Sequence, residues 1–494
     1  MGQRSTGSYK DVPLEDYVRR NARELGREVS ECRVSPVQLC EMALSLAKRT
    51  EPAVNAYVCF LDDYALAIAR ERESEAREGR IRSPLHGVPI AIKDNFYLTG
   101  HPVRKGSRTT TDSPATYDSP MIERIVQAGA IIIGKTTMPE FGWKGTGISP
   151  LTGVSRNPWN GDRNPGGSSA GSAASVAAGA VPIALGSDAG GSVRIPASFC
   201  GVVGLKPTLS RIPVYPGTVT ETLSHVGPLC RTVDDARLVL AVTEGVCAKD
   251  PLSYAARPHN DAKRALRLGA GTLRVGVIER PFGIAPEPRV ATVFSAAIER
   301  MRRDVAASYD HGATLGPLPR AIFETLWVTG RGLGFKPQFD AHAAIMDPGL
   351  VRLGALAKEY DVSRLFRAIE ERRTFVSDAC ALFDRFDLLV MPTMPLTAFA
   401  ADAEVPEGRE ASALLPWITW TPYTYPFNLT GQPAISVPCG VAADGLPVGL
   451  QVVGAWGEDE LVLDFAELVE RVLPGSELSF PPCLRDALSS PDSP

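Results

Sequence analysis

The chain has 494 residues, 44% hydrophobic and 22% charged, which is the composition of an ordinary globular protein. Its 52 basic and 56 acidic side chains give a formal net charge of −4, with no basic surplus or cluster of the kind that nucleic acid or an anionic membrane requires. The nine scattered cysteines contain no Cys-x-x-Cys pair, so neither a disulfide scaffold nor a zinc module is expected.

The N-terminal stretch MGQRSTGSYKDV lacks the apolar run of a signal peptide, and no apolar run reaches the ~18 residues of a spanning helix. A cytoplasmic protein with no membrane contact is the expectation. Residues 13–80 read as helices. Ser35 is the predicted cap before Pro36, and Leu39, Met42 and Leu46 follow at helical spacing.

The pattern then changes. HGVPIAIKDN at 86–95 predicts a short buried strand and AGAIIIGKT at 128–136 another, with MIERIVQAG as the helix before it. Residues 169–185 are rich in Ala, Gly and Ser, and predict a tightly packed small-residue helix leading into a strand. LRVGVI at 273–278 and DLLVMPT at 387–393 are further strands, and the region 280–385 between them reads as helical, a lobe or a lid. After a loop at 400–410, QPAISVPCG and LPVGLQVVG predict a strand pair turned by Ala-Asp-Gly. DELVLDFAELVERVL is a closing helix, and the polar tail 484–494 is expected to fray. Alternating helices and strands of this kind specify an α/β fold with a covered sheet.

The chemistry concentrates between Gly166 and Thr208. Ser168 and Ser192 each follow a glycine pair, where the backbone bends sharply and consecutive N–H groups can converge on one anion. A serine so placed is a candidate nucleophile with its own oxyanion hole. Gly167-Ser168-Ser169-Ala170-Gly171 also matches G-x-S-x-G. That motif needs a strand just before it, and RNPWNGDRNPG is a loop. None of the six histidines sits in a motif with an acid, although a triad is recognised by spatial geometry rather than by sequence order. The other candidate base is Lys93, at the end of Val-Pro-Ile-Ala-Ile. A lysine there usually extends its ammonium to water, but burial can depress its pKa by up to about 3–5 units and leave a neutral amine.

GVPIAIKDN, then GGSSAGSA, then GSDAGGSVRIPASFCGVVGLKPT together resemble the amidase signature family of Ser–Ser–Lys hydrolases. The resemblance runs from about residue 15 to 475 and includes PFNLTGQPAISVPCG at 426–440. It implies a large twisted mixed β-sheet core covered by helices on both sides. Residues 1–80 would be an N-terminal helical segment and 81–480 the catalytic part, with 280–400 a more variable helical lobe, all within one domain.

The resemblance further implies Ser192 as nucleophile, Ser168 as bridging serine and Lys93 as base. The backbone N–H groups of Ala189, Gly190, Gly191 and Ser192 would form the oxyanion hole. Asp188 and Arg194 would order that loop, and a cis bond would join Gly167 to Ser168. Cys200 reads as a packed small hydrophobe and Asp94 and Asn95 as groups positioning backbone. The aromatic run Trp417, Trp420, Tyr423, Tyr425 and Phe427 would border the acyl pocket, favouring an apolar or aromatic amide. Ala170 and Ser187 depart from the commoner Gly and Thr, outside the reacting trio. No cofactor and no metal are implied, and a homodimer is allowed.

The reading is an amidohydrolase that acts alone on a small-molecule carboxamide. Its rivals are a carbamate or ester hydrolase with the same machinery, one component of the tRNA-dependent amidotransferase, and a non-catalytic binding protein. The segment GWKGTGISPLTGVSRNPWN after MPEF does not resemble the amidotransferase component, and the intact trio argues against the binding protein.

Overall fold

A computed structural model describes residues 9–218, 220–255, 272–409, 414–473 and 480–489. The first strands are β1 (Tyr57–Phe60), β2 (Pro89–Lys93) and β3 (Ile131–Thr136), and a small hairpin follows, β4 (Ile148–Ser149) with β5 (Gly153–Val154). Next come β6 (Ile183–Asp188), β7 (Val203–Lys206), β8 (His225–Cys230), β9 (Arg274–Val277) and β10 (Ser308–Asp310). The last are β11 (Leu388–Pro392), β12 (Ala434–Val441) and β13 (Pro447–Gly454).

Apart from the hairpin, the strands join one 11-stranded sheet in the order β1-β3-β2-β6-β8-β7-β12-β13-β11-β9-β10. Parallel pairs (β2 with β3 and β6, β9 with β10 and β11) lie on either side of a central antiparallel run, so the sheet is mixed, as the family resemblance implies. Every residue of β2, β3 and β13 is buried, as expected for strands covered on both faces.

The predicted strands at 86–95, 128–136, 273–278 and 387–393 are all present, trimmed at their ends. The pair β12–β13 turns through Ala442-Ala443-Asp444-Gly445, with Gly445 at φ +78°, where a side chain would be strained. Ser35 caps the helix Pro36–Val54 by accepting from the N–H groups of Val37 and Gln38. The region 280–385 is mainly helical.

Besides the β4–β5 hairpin, four strands of the large sheet were not expected. β1 interrupts the supposedly helical 13–80 region with only four residues, and β10 has three. β7 and β8 lie inside or just after the glycine-rich block. β8 carries Gly227 and Pro228, which break a strand pattern. Pro228 is tolerated because the β7 ladder ends at Leu229, leaving Pro228 paired only to β6. The tail also differs: Pro482–Ser489 is a helix with Leu484 and Ala487 buried. The start of the chain through residue 8, residue 410 of the predicted loop and the tail beyond 489 lie outside the described residues. Among the described residues no helix is long and apolar enough to cross a membrane.

Two features of this fold position the site. β2 and β6 are parallel neighbours, and their last residues, Lys93 and Asp188, end at the same edge of the sheet, where α/β folds hold their ligands. The helix Ala170–Ala177 packs against this edge so closely that a Cβ on Gly171 would lie 2.1 Å from Ala56 O and 2.5 Å from Thr137 N. This proximity explains its small-residue composition. Gly171→Ala should therefore destabilise the protein by about 1–3 kcal/mol through overpacking, read as a lower midpoint of chemical denaturation. An unchanged midpoint would refute the close contact.

Candidate active site

Lys93 is fully buried, and its amine sits among hydroxyl oxygens rather than carboxylates. Nζ lies 2.8 Å from Ser168 Oγ and 3.0 Å from both Ser169 Oγ and Ser187 Oγ. Ser169 Oγ donates to Ser187 O at 3.3 Å, so it accepts from Lys93. Asn95 Nδ2 donates to Ser187 Oγ at 3.1 Å, which occupies that oxygen as an acceptor. Among the described residues the Ser168 hydroxyl has no partner but Lys93. Burial pushes the Lys93 pKa well below its ordinary 10.5; the Asp188 carboxylate opposes this and the Arg331 charge reinforces it.

Ser168 and Ser192 line one cavity of about 190 Å³. Their backbones are coupled, since Ser169 N–H donates to Ser192 O at 3.1 Å. Ser192 Oγ has no hydrogen-bond partner among the described residues, and none joins it to Ser168. The expected trio is thus brought to one place, with one link made and the second open. The peptide bond between Gly167 and Ser168 is cis.

Asp188 and Arg194 organise the loop between β6 and the helix Arg194–Cys200. Arg194 Nε and Nη2 each lie 3.0 Å from the Asp188 carboxylate, and both residues are buried. Nη2 also donates to Asn428 Oδ1 at 2.7 Å, and Nη1 to Thr424 O and Gln451 Oε1, each at 2.9 Å. Burial alone would raise the Asp188 pKa, but the Arg194 guanidinium and Asn428 hold it well below the carboxylate range.

The same carboxylate accepts from the N–H groups of Gly191 at 2.7 Å and Val193 at 3.2 Å. Of the four expected oxyanion donors, one is thus already engaged. Gly191 N–H is turned into Asp188 and is not free for a ligand. The N–H groups of Ala189, Gly190 and Ser192 have no partner among the described residues. Gly191 itself sits at φ +121°, and a Cβ there would be 2.3 Å from Thr424 Oγ1. Thr424, Asn428 and Gln451 are supports that sequence reading did not single out, since each lies more than 200 residues from Arg194 and no local pattern links them.

Three other expectations meet the structure here. Cys200 is buried, with Sγ 3.3 Å from Pro165 O, as a packed thiol would be. Asp94 pairs with buried Lys135 at 2.8 Å and accepts from Arg104 N–H, whereas Asn95 serves the Ser187 hydroxyl rather than backbone. The aromatic run does not line the cavity. Trp417, Trp420, Tyr423, Tyr425 and Phe427 are all buried elsewhere: helix Arg320–Gly334 packs onto Trp417 and Tyr425, and Trp420 packs against Phe199 and Phe399. Phe323 lies 4.6 Å from Tyr425, and Trp327 lies 5.2 Å from Trp417, between ring centroids. Trp417 instead backs the loop at Gly190, whose Cβ would be 2.8 Å from the indole. The cavity's apolar walls come from Phe96, Met138, Phe141, Tyr215 and Phe335.

His225 also faces the cavity and was not foreseen. Its Nδ1 lies 2.9 Å from Leu223 O, which fixes the proton there, and burial keeps the ring neutral. It makes no hydrogen bond to either serine, so it does not form a triad. Among the described residues no cluster of His, Cys, Asp and Glu is placed to hold a metal ion.

The family model described as Amidase matches residues 38–312 and 335–463, and the chain belongs to the amidase signature family, whose enzymes act on C–N amide bonds. The A component of the glutamyl-tRNA(Gln) amidotransferase of Anaeromyxobacter dehalogenans (strain 2CP-C) is 35% identical over 489 residues, covering 94% of this chain and 98% of that one. Among solved structures, a bacterial aryl acylamidase of the family superposes with a TM-score of 0.84 at 25% identity, covering 96% of this chain and 99% of the other. A protein from a vestigial complex linked to the origins of an s-triazine catabolic enzyme gives a TM-score of 0.83 at 29% identity, over 92% and 98% of the two chains.

Asp188→Ala would leave the Arg194 guanidinium buried without its counter-charge. The loss should be about 3–5 kcal/mol of folding stability, measured by urea denaturation. A variant as stable as the parent would show that this pair does not hold the loop.

Proposed function

We propose that the chain is an amidohydrolase that cleaves a carboxamide C–N bond through an acyl-enzyme on Ser192. The observation that carries this reading is the buried Lys93 amine, without a carboxylate partner, 2.8 Å from Ser168 Oγ. A neutral amine there can accept the Ser168 proton while Ser168 accepts that of Ser192. Ser192 Oγ, uncommitted at rest, then attacks the amide carbonyl, and the new oxyanion is received by N–H groups from the set Ala189, Gly190 and Ser192. The proton returns through Ser168 to the departing nitrogen, which leaves as an amine or ammonia. Water hydrolyses the ester by the same relay, regenerating Ser192 and releasing the acid. The open gap between Ser168 and Ser192 fits a relay that tightens when substrate fills the cavity.

A carbamate or ester hydrolase would use the same steps, and comparing kcat/KM over matched amide, urethane and ester substrates separates them. A second reading, the A component of a tRNA-dependent amidotransferase, is favoured by the curated relatives. Turnover of simple amides by the purified chain, without partner proteins or tRNA, would argue for the stand-alone hydrolase. Activity that emerges only with such partners would favour the transferase.

Ser192→Ala should abolish turnover, and Lys93→Ala should reduce kcat by about three orders of magnitude or more while the fold persists. A Lys93→Ala variant with most of its activity would remove the relay. The pH dependence follows from the direction of the Lys93 shift. Its neutral form is the active one, so kcat/KM should fall about tenfold per pH unit once the pH drops below the depressed pKa. A rate that stays flat down to moderately acid pH contradicts the assignment.

A further inference from the structure

Resting on the hydrolase reading, we propose that the substrate carries a carboxylate, received in the cavity by Arg331 with Lys105 beside it. Arg331 lies on helix Arg320–Gly334 and is only 9% exposed, yet it lines the same cavity as Ser168 and Ser192. A buried guanidinium normally meets a carboxylate and satisfies most of its five N–H donors. This one does neither. Among the described residues its single hydrogen bond is from Nη1 to Phe141 O at 2.8 Å, and Nε is buried with no partner at all. Its plane is steadied by the Trp327 ring, 4.8 Å from the centroid. Burial lowers its pKa to about 10, so it remains a cation at neutral pH.

Lys105 is the second unmatched cation. It also lines the cavity, and its side-chain hydrogen bond among the described residues is to a neutral group, Tyr97 Oη at 3.1 Å. The two are tied to one residue: Phe141 N–H donates to Lys105 O at 2.8 Å, while Phe141 O accepts from Arg331. The carboxylate that faces the cavity is that of Asp188, already neutralised by Arg194. His225 is neutral. The cavity therefore presents excess positive charge with free donors in a water-poor wall, where a planar fork receives a carboxylate through paired, charge-assisted hydrogen bonds. The apolar remainder, from Phe96, Met138 and Phe335, suits the carbon chain between that carboxylate and the amide.

The carboxylate can sit on either half of the amide, and a two-armed panel separates these cases. On the acyl side, succinamic and glutaramic acids are compared with butyramide and valeramide. On the amine side, N-acetylglycine and N-acetyl-β-alanine are compared with N-ethylacetamide and N-propylacetamide. Turnover is measured as kcat/KM in the parent, and affinity by calorimetry on Ser192→Ala, so that binding is read even where hydrolysis is absent. One arm should favour its acid over the neutral partner by about tenfold or more, the worth of one charge-assisted hydrogen bond. Arg331→Met should erase that preference by lowering the acid's value far more than the neutral partner's. Arg331→Lys should keep part of it, and Lys105→Met should weaken it.

Equal or better handling of the neutral partner in both arms overturns the proposal, as does a preference that survives Arg331→Met. Should Arg331→Met fail to fold, the parent's preference and the Lys105→Met variant still decide. Acids bound through Arg331 but never hydrolysed would uphold this anion site and defeat the hydrolase reading. Neutral amides hydrolysed with no preference for acids would do the reverse.

Discussion

A lysine amine sealed from water at the end of an interior strand is the constraint on which the rest of this site depends. Removing a charged ammonium from water is costly unless a counter-charge accompanies it, and the cradle of three serine hydroxyls supplies none. Burial favours the unprotonated amine, and in the proposed relay that amine is a base already in contact with a hydroxyl. That outcome needs strand β2 buried along its whole length, so the lysine stem has no route outward. It also needs the small-residue helix Ala170–Ala177 to bring Ser168 and Ser169 within reach.

The second half of the site is built by an opposite solution to burial. Asp188 and Arg194 stay charged because each is the other's counter-ion, and Asn428, Gln451 and Thr424 satisfy the remaining donors. The carboxylate also takes up Gly191 N–H, which turns the glycine loop and leaves the N–H groups of Ala189, Gly190 and Ser192 without a partner among the described residues. Support for the loop comes from more than 200 residues away in sequence. Trp417 closes the back of the loop at Gly190, so the aromatic segment acts on the chemistry by packing rather than by touching a ligand.

The sequence made β2, β3, β6 and the β12–β13 pair legible because each is an apolar run bounded by turn residues. It also made the block from Gly166 to Thr208 legible, since Ser168, Ser192, Asp188 and Arg194 all lie in it, and the structure puts Ser168, Asp188 and Ser192 on one cavity with Lys93 against Ser168 and Arg194 against Asp188. What escaped was set by tertiary contact. β8 carries a Gly-Pro pair that only its one-sided pairing tolerates, and β1 has too few residues to register a period. The diversion of Gly191 N–H depends on a hydrogen bond three residues back, and no residue pattern announces it. Arg331 lies in an ordinary amphipathic helix, and only its burial without a counter-charge among the described residues sets it apart. The reverse error occurred with the run from Trp417 to Phe427, whose aromatic richness suggested a pocket wall but whose rings are buried in the core beside the cavity.

The charge state of Lys93 can be read directly by NMR on protein carrying ¹³Cε-labelled lysine, with its signal assigned by loss in Lys93→Arg. The account predicts that this one resonance has the shift of a neutral amine at about pH 8, where exposed lysines remain ammonium. A Lys93 signal that titrates together with the exposed lysines, near the ordinary 10.5, would contradict it.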